Sequence, residues 1–352
     1  MGTDNQKNKS TSSLVEEDGE VLLDVRDLVV HYVLEKETVE AVNGLSLTLK
    51  KRQTLGLVGE TGAGKTSTAL SILNLIPVPP GVIKSGDINV CGNDVLHMTS
   101  KQLEKVRGKD VSMIFQDPMT ALNPVMPVGE QIAESIRYHE NLSYRESLAR
   151  ADEILELVGI PAVRSVEYPH QFSGGMKQRV VIAIALACNP QVLIADEPTS
   201  ALDVTIQAQV LDMMLDLKNQ FGTALLMITH DLGVVAKICD TVAVMYAGKI
   251  VEYGTLRNVF NTPKHPYTEG LFNSLPNVLD SSAELKPIPG MMPDPTKLPP
   301  GCAFKPRCKY AIEKCAEPCV RHSISETHTV LCSRYDDPDF NIELKRGGES
   351  RG

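Results

Sequence analysis

The sequence contains no tryptophan, and aromatic residues make up only 5% of it. It also lacks a long hydrophobic run. The longest uninterrupted apolar stretch, Val180 to Cys188, is nine residues. Crossing a bilayer takes about 20, so no transmembrane helix is expected. An excess of positive charge is missing as well. Lys and Arg number 35 against 44 Asp and Glu, a net charge of −9, which is the wrong sign for a chain whose main partner is nucleic acid. Residues Met1 to Glu20 are polar and charged, with no apolar segment of the kind a signal peptide needs, and read as a flexible tail. These absences place the chain, as an expectation, in the cytosol. Thiols stay reduced there, so clustered cysteines point to metal before disulfide.

What is present is ordinary globular material. Hydrophobic residues form 42% and charged residues 22% of 352 residues, enough for a sizeable core and for about two domains. Residues 21–60 alternate apolar and polar positions, as in Leu45-Ser46-Leu47-Thr48-Leu49, which predicts strands. Leu55 to Val58 is a short apolar strand, and Thr66 to Leu75 follows as a helix. Helical spacing runs from Glu130 to Val158, and two further apolar strands are expected over Val192 to Ala195 and Ala224 to Thr229. Strand and helix in alternation predict an α/β fold with a largely parallel sheet. Nine of the 40 residues from 261 to 300 are proline, which predicts an extended connector with little regular helix.

Between the strand at Leu55 and the helix at Thr66 lies Gly59-Glu60-Thr61-Gly62-Ala63-Gly64-Lys65-Thr66, a G-x-x-x-x-G-K-[ST] match in the setting that motif requires, followed by Ser67. Its glycines let backbone N–H groups curl around phosphates, and the helix N-terminus adds a favourable field. Lys65 would reach the β- and γ-phosphates, and the Thr66 hydroxyl would bind Mg²⁺. A second element is Val192-Leu193-Ile194-Ala195-Asp196-Glu197, an apolar strand ending in two carboxylates. Asp196 would hold Mg²⁺ and Glu197 would polarise the attacking water. The alternative is a buried strand whose acidic end is merely solvated. Phe172-Ser173-Gly174-Gly175-Met176 again sets small residues at a helix start. It is either a second anion site, serving the nucleotide of another subunit, or a plain helix cap at Ser173.

Five cysteines, Cys302, Cys308, Cys315, Cys319 and Cys332, crowd the end of the chain. Their spacing mostly lacks the close pairs of structural zinc sites and suits a larger centre such as a [4Fe–4S] cluster held by four thiolates. Disulfides or free thiols are the other reading. Lys305, Arg307, Lys309 and Lys314 sit among them and could offset cluster charge. Cys91, Cys188 and Cys239 fall in predicted elements and read as small core residues.

Together these residues resemble the ATP-binding subunit of an ABC transporter. Phe172 to Met176 stands where that family has LSGGQ. Gln116, in Ile114-Phe115-Gln116-Asp117-Pro118, matches the Q-loop, Ser200-Ala201-Leu202-Asp203 the D-loop, His230 the switch histidine, and Tyr32 the aromatic that stacks on adenine. The resemblance covers residues 21–260. It implies a P-loop ABC ATPase core with an inserted helical subdomain at about 117–178. It also implies a head-to-tail pair of such domains sandwiching two ATP molecules. Lys65, Thr66, Gln116, Asp196, Glu197 and His230 would serve one site, with Gln116 also at the Mg²⁺. Ser173, Gly174 and Gly175 would reach across to the partner's. His265-Pro266-Tyr267-Thr268 with Leu271 and Pro276, and Asp117-Pro118-Met119-Thr120-Ala121-Leu122-Asn123-Pro124, resemble segments of the oligopeptide/dipeptide importer branch.

That branch often carries C-P-F-x-P-R-C, a third cysteine, and a fourth near H-x-x-x-C. Here Cys302-Ala303-Phe304-Lys305-Pro306-Arg307-Cys308, Cys315 and His328-Thr329-Val330-Leu331-Cys332 fit it, with Ala303 for the usual proline and Cys319 as a substitute fourth ligand. The resemblance thus implies a small cysteine-rich iron–sulfur extension within a 261–340 C-terminal domain. The implied cofactors are ATP, Mg²⁺ and a [4Fe–4S] cluster. The implied partners are two transmembrane permease subunits, a second and related ATPase subunit, and an extracytoplasmic peptide-binding protein, with no nucleic acid. The implied location is the cytoplasmic face of the cell membrane. Competing readings are nickel or oligosaccharide import on the same machine, a soluble ABC ATPase of DNA repair or translation, and a cluster-based redox sensor using ATP as a switch.

Overall fold

The structure is a computed structural model that describes residues 19–200, 202–274 and 287–342. Most of the expected N-terminal tail, Ala201 and Pro276 lie outside those residues.

The alternating segment over 21–60 forms two long antiparallel strands, β1 (Val21–Val33) and β2 (Thr38–Lys50), in a register that pairs Val25 with Leu47. β3 (Thr54–Val58) follows, then β4 (Gly81–Val90), which pairs with β1, and the short β5 (Asn93–Asp94). A four-stranded antiparallel sheet in the order β2-β1-β4-β5 results. The remaining strands are β6 (Val111–Ile114), β7 (Val192–Asp196), β8 (Ala224–Thr229), β9 (Thr241–Tyr246), β10 (Lys249–Thr255), β11 (Arg321–Ser325) and β12 (His328–Leu331). They join β3 in an eight-stranded sheet ordered β11-β12-β10-β9-β3-β8-β7-β6. Only the stretch from β9 to β6 is parallel; the largely parallel sheet expected from the sequence is five of the eight strands, with antiparallel strands added beyond β9. β3, β6, β7 and β8 are buried along their whole length, as suits strands covered on both faces, and this is why they read as continuous apolar runs.

The helices are α1 (Lys65–Ile72), α2 (Ser100–Val106), α3 (Pro118–Ala121), α4 (Val128–His139), α5 (Tyr144–Leu157), α6 (Gly174–Leu186), α7 (Val204–Phe221), α8 (Leu232–Ile238), α9 (Leu256–Asn261) and α10 (Pro266–Asn273). The helical spacing over Glu130–Val158 resolves into two helices, α4 and α5, because Ser143 caps α5 by accepting from the Glu146 N–H while Glu146 reaches back to the Ser143 N–H. α4 to α6 pack one apolar core with Ile132, Ile136, Ile154 and Val180. Among the described residues no helix is long and apolar enough to cross a membrane.

The proline-rich connector departs from expectation. α10 lies inside it, because Pro266 occupies the first helical turn, where its missing N–H costs nothing, and His265 caps the helix through Nδ1. The tail is not an appendix to the sheet. β12 pairs antiparallel with β10, Glu252 opposite Val330, so a hairpin some 70 residues downstream finishes the sheet edge. Cys188 and Cys239 are buried as expected. Cys91 is half-buried in the turn after β4 at φ 50°, packed against the edge of the core.

Candidate functional site

The site lies where the parallel strands end. β3 runs into Gly59, β6 leads to Gln116, β7 ends at Asp196 and is followed by Glu197, and β8 leads to His230. β3 sits between β8 and β9, the place in an open α/β sheet where the chain leaves a crevice at the carboxyl edge.

The loop from Gly59 to Gly64 fits a phosphate because its glycines allow what other residues would not. A Cβ on Gly59 would stand 2.2 Å from the Met245 carbonyl oxygen, and one on Gly64 would stand 2.2 Å from that of Ala41. Gly62 and Gly64 take φ of 83° and 102°. Lys65 Nζ donates to the carbonyls of Gly59 (2.8 Å) and Glu60 (3.1 Å). Its pKa is pulled down by burial, against the raising effect of Glu197, Asp196 and Glu60 nearby. Both carboxylates at the end of β7 therefore face the lysine.

The Thr66 side chain stands beside the Asp196 carboxylate. Asp196 is 2% exposed, and burial raises its pKa, with the Thr66 hydroxyl working the other way. A buried carboxylate beside a hydroxyl at the mouth of a phosphate loop is a hard-oxygen donor pair, so these residues fit Mg²⁺ with phosphate oxygens completing the set. Glu197 is held on both oxygens. Gln116 Nε2 donates to Oε2 at 3.1 Å, and His230 Nδ1 lies 3.0 Å from Oε1. Its backbone sits at φ 47°, a left-handed conformation rare outside glycine, with its N–H given to the Ile228 carbonyl at 2.8 Å. This strained link turns the carboxylate toward Gln116 and His230, and no local sequence signal announces it.

Tyr32, on β1, places its hydroxyl 3.2 Å from that of Ser67 in the first turn of α1. Ser173, Gly174 and Gly175 have their contacts elsewhere. Ser173 caps α6 by accepting from the Met176 N–H, and Gly175 lies so close to α7 that a Cβ would meet Ile206 Cγ2 at 2.7 Å. The Ser200 hydroxyl donates to the Glu197 carbonyl at 3.2 Å, and Asp203 caps α7.

The cysteine tail does not by itself support the cluster expectation. Cys302, Cys308, Cys315, Cys319 and Cys332 are all free thiols, and among the described residues no three Cys, His, Asp or Glu side chains stand as metal ligands. Cys302 and Cys319 stand beside one another, which pushes the Cys302 thiol up and brings Cys319 down. The cavity these two line with Phe304 measures about 20 Å³, room for about one water. The ligand set Cys302, Cys308, Cys315 and Cys332, with Cys319 as substitute, does not stand as a metal group among the described residues. Three of the four basic residues read as offsetting cluster charge pair with carboxylates instead. Arg307 pairs with Glu60 (3.0 Å), Lys309 with Glu269 (2.7 Å) and Lys314 with Asp336 (2.8 Å).

Residues 42–200 match the ABC transporter family, and residues 251–315 match the oligopeptide/dipeptide transporter C-terminal region. The chain is 50% identical over 296 residues to the oligopeptide transport ATP-binding protein AppD of Bacillus subtilis, covering 84% of this chain and 90% of that one. It is 47% identical over 307 residues to the oligopeptide transport ATP-binding protein OppD of Salmonella typhimurium, covering 87% and 91%. Among solved structures, the dimeric bacterial ABC transporter cassette MJ0796 superposes with a TM-score of 0.60 at 24% identity, over 67% of this chain and 99% of that one, a likeness of fold. CbiO1 of Clostridium perfringens, part of an ABC transporter complex, gives 0.59 at 26% identity over 68% and 91%. With its phosphate loop, its paired carboxylates and this degree of identity along almost its whole length, the chain belongs to the ABC transporter ATP-binding proteins, in the branch that carries the oligopeptide/dipeptide transporter C-terminal region.

Proposed function

We propose that this chain hydrolyses ATP to drive import of oligopeptides or dipeptides through partner membrane subunits. The observation that carries it is the Glu197 carboxylate, clamped between Gln116 and His230 beside the Thr66–Asp196 pair and Lys65. The names of the relatives, oligopeptide and dipeptide transport ATP-binding proteins, supply the substrate class.

ATP enters with its adenine on the Tyr32 ring and its phosphates in the loop Gly59, Glu60, Thr61, Gly62, Ala63, Gly64. Lys65 exchanges its two carbonyl partners for phosphate oxygens, and Ser67 lies at the helix start beside Tyr32. A magnesium ion held by Thr66, Asp196 and Gln116 would neutralise charge on the β- and γ-phosphates. Glu197 orients the water that attacks the γ-phosphate and draws off its proton, and His230 and Gln116 fix the direction in which the carboxylate points. In a head-to-tail dimer Ser173, Gly174 and Gly175 meet the partner's γ-phosphate, so ATP joins the subunits and hydrolysis releases them. The second subunit is a related ATPase, and two permease subunits at the cytoplasmic face of the membrane receive the motion through the segment 117–178. An extracytoplasmic binding protein delivers peptide. In this reading residues 21–260 are the ATPase domain and 261–340 the branch-specific one. A [4Fe–4S] cluster on the tail would be held by Cys302, Cys308, Cys315 and Cys332, with Cys319 as substitute; iron and sulfide analysis of anaerobically purified protein decides it.

The test is purification with the membrane partners, reconstitution in liposomes, and ATP hydrolysis measured with the binding protein loaded or empty. Stimulation by peptide supports the reading. Stimulation by nickel or an oligosaccharide and not by peptide would overturn the substrate class.

A further inference from the structure

The phosphate loop is gripped from outside by the C-terminal region. The Glu60 N–H donates to the hydroxyl of Tyr267, on α10, at 2.9 Å. The Glu60 carboxylate is paired at 3.0 Å with Arg307, whose side chain is only 7% exposed. Arg307 is itself fixed. Its Nε donates to the Pro289 carbonyl at 2.9 Å and its NH1 lies 3.3 Å from the Tyr246 hydroxyl. Tyr246, Tyr267 and Phe304 pack ring against ring beneath it, with centroids 4.6 to 5.4 Å apart. Tyr267 is fully buried. Glu60 is thus held at three points: its N–H by Tyr267, its carboxylate by Arg307, and its carbonyl by Lys65 Nζ. The last of these is the lysine that must reach the phosphates.

We propose that Tyr267 and Arg307 are positioning residues for nucleotide binding: the C-terminal region holds the Glu60 peptide, and with it Lys65, in the orientation that receives the phosphates of ATP. The reading deepens the ATPase assignment and rests on it. A phosphate loop binds through backbone N–H groups, so a peptide that rotates misdirects its neighbours. The grip makes nucleotide affinity depend on residues 207 and 247 positions downstream of the loop.

The full-length chain is titrated with Mg²⁺ and the fluorescent analogue mant-ATP, and the melting temperature is read in parallel. Tyr267→Phe deletes one oxygen and keeps the ring packing, so it leaves the fold in place even where Arg307→Met does not. Each variant is expected to raise the Kd about five-fold, the loss of one hydrogen bond's net worth. Arg307→Lys should recover part of the loss. The double variant should fall short of the product of the singles, because both act through Glu60. A melting temperature that drops while Kd stays at the wild-type value would overturn the proposal and leave the contacts as plain structural staples. Unchanged Kd and unchanged melting temperature would overturn it equally. A wild-type chain that does not bind mant-ATP would overturn the nucleotide reading itself, and this inference with it.

Discussion

His230 Nδ1 stands 3.0 Å from one oxygen of Glu197, a residue 33 positions earlier whose own backbone is twisted into the left-handed region. The histidine ring is largely exposed while the carboxylate is mostly buried, so the pair points a half-hidden base at an open crevice. Glu197→Gln keeps the shape and removes the proton acceptor. ATP hydrolysis is expected to fall at least about ten-fold with ATP binding retained, and the variant should accumulate as an ATP-bound dimer. Turnover assays and gel filtration with ATP check this; near-normal turnover removes Glu197 from the role.

Lys65→Ala takes away the charge that faces the phosphates. Mant-ATP affinity should drop at least about ten-fold, because a charge-assisted contact is lost from a buried setting. An unchanged Kd would contradict the phosphate-loop reading.

The two glycines at the start of the loop should respond differently. At Gly59 a Cβ runs into the Met245 carbonyl at 2.2 Å, so Gly59→Ala must push the loop off β9. At Gly62 there is open space, and Gly62→Ala meets only the strain of φ 83°, about 1 kcal/mol. Mant-ATP binding should therefore be abolished by the first substitution and weakened by about ten-fold or less by the second. The reverse order would mean that the loop does not hold the backbone described.

Much of this site was legible because its residues report locally. The run from Gly59 to Thr66 has fixed spacing, and a strand ending in Asp196-Glu197 is recognisable by its abrupt change from apolar to acidic. What stayed hidden depends on contacts across the chain. Nothing near Arg307 says that it pairs with Glu60, and the basic cluster around it read instead as compensation for metal charge. β11 and β12 were missed because a short edge hairpin with few buried side chains carries little hydrophobic alternation. The connector reads as having little regular helix because its prolines count as breakers, although Pro266 occupies the one turn of a helix that tolerates it and His265-Pro266-Tyr267 also reads as a turn before a helix. The positive φ of Glu197 has no signature in residue type at all.

His265 predicts a pH dependence of stability. The ring is fully buried, its Nδ1 accepts from the Tyr267 N–H at 3.1 Å, and its Nε2 has no partner. Burial holds its pKa down to about 3, against a usual value of 6.5. The folded state therefore stays neutral while the unfolded chain takes up a proton below pH 6.5. Stability from this residue is complete above that pH and declines as pH falls toward 3, by about 1.4 kcal/mol per pH unit at most. His265→Asn keeps a capping acceptor and removes the titration. Between pH 6.5 and 5 the melting temperature of wild type should fall more steeply than that of the variant; parallel curves would show that the ring is reached by water.

Glu252 joins the tail to the sheet. It is fully buried on β10, and its carboxylate accepts from the Lys264 N–H at 2.7 Å, the His265 N–H at 2.8 Å and, at 2.8 Å, His328 Nε2 on β12. One side chain thus satisfies the entry to α10 and anchors the edge hairpin. Removing it leaves two backbone donors and a buried imidazole without partners, each costing about 1 to 3 kcal/mol. Glu252→Ala should therefore destabilise the chain by about 3 kcal/mol or more, seen as a fall in the denaturant midpoint. Limited proteolysis should also release the segment from 321 onward before the ATPase core is cut, since β12 loses its side-chain tie to β10 while the parallel strands keep theirs. Glu252→Gln, which can still accept from the two backbone N–H groups, should lose less. If the alanine variant resisted both denaturant and protease like wild type, the hairpin would be held by its ladder hydrogen bonds alone.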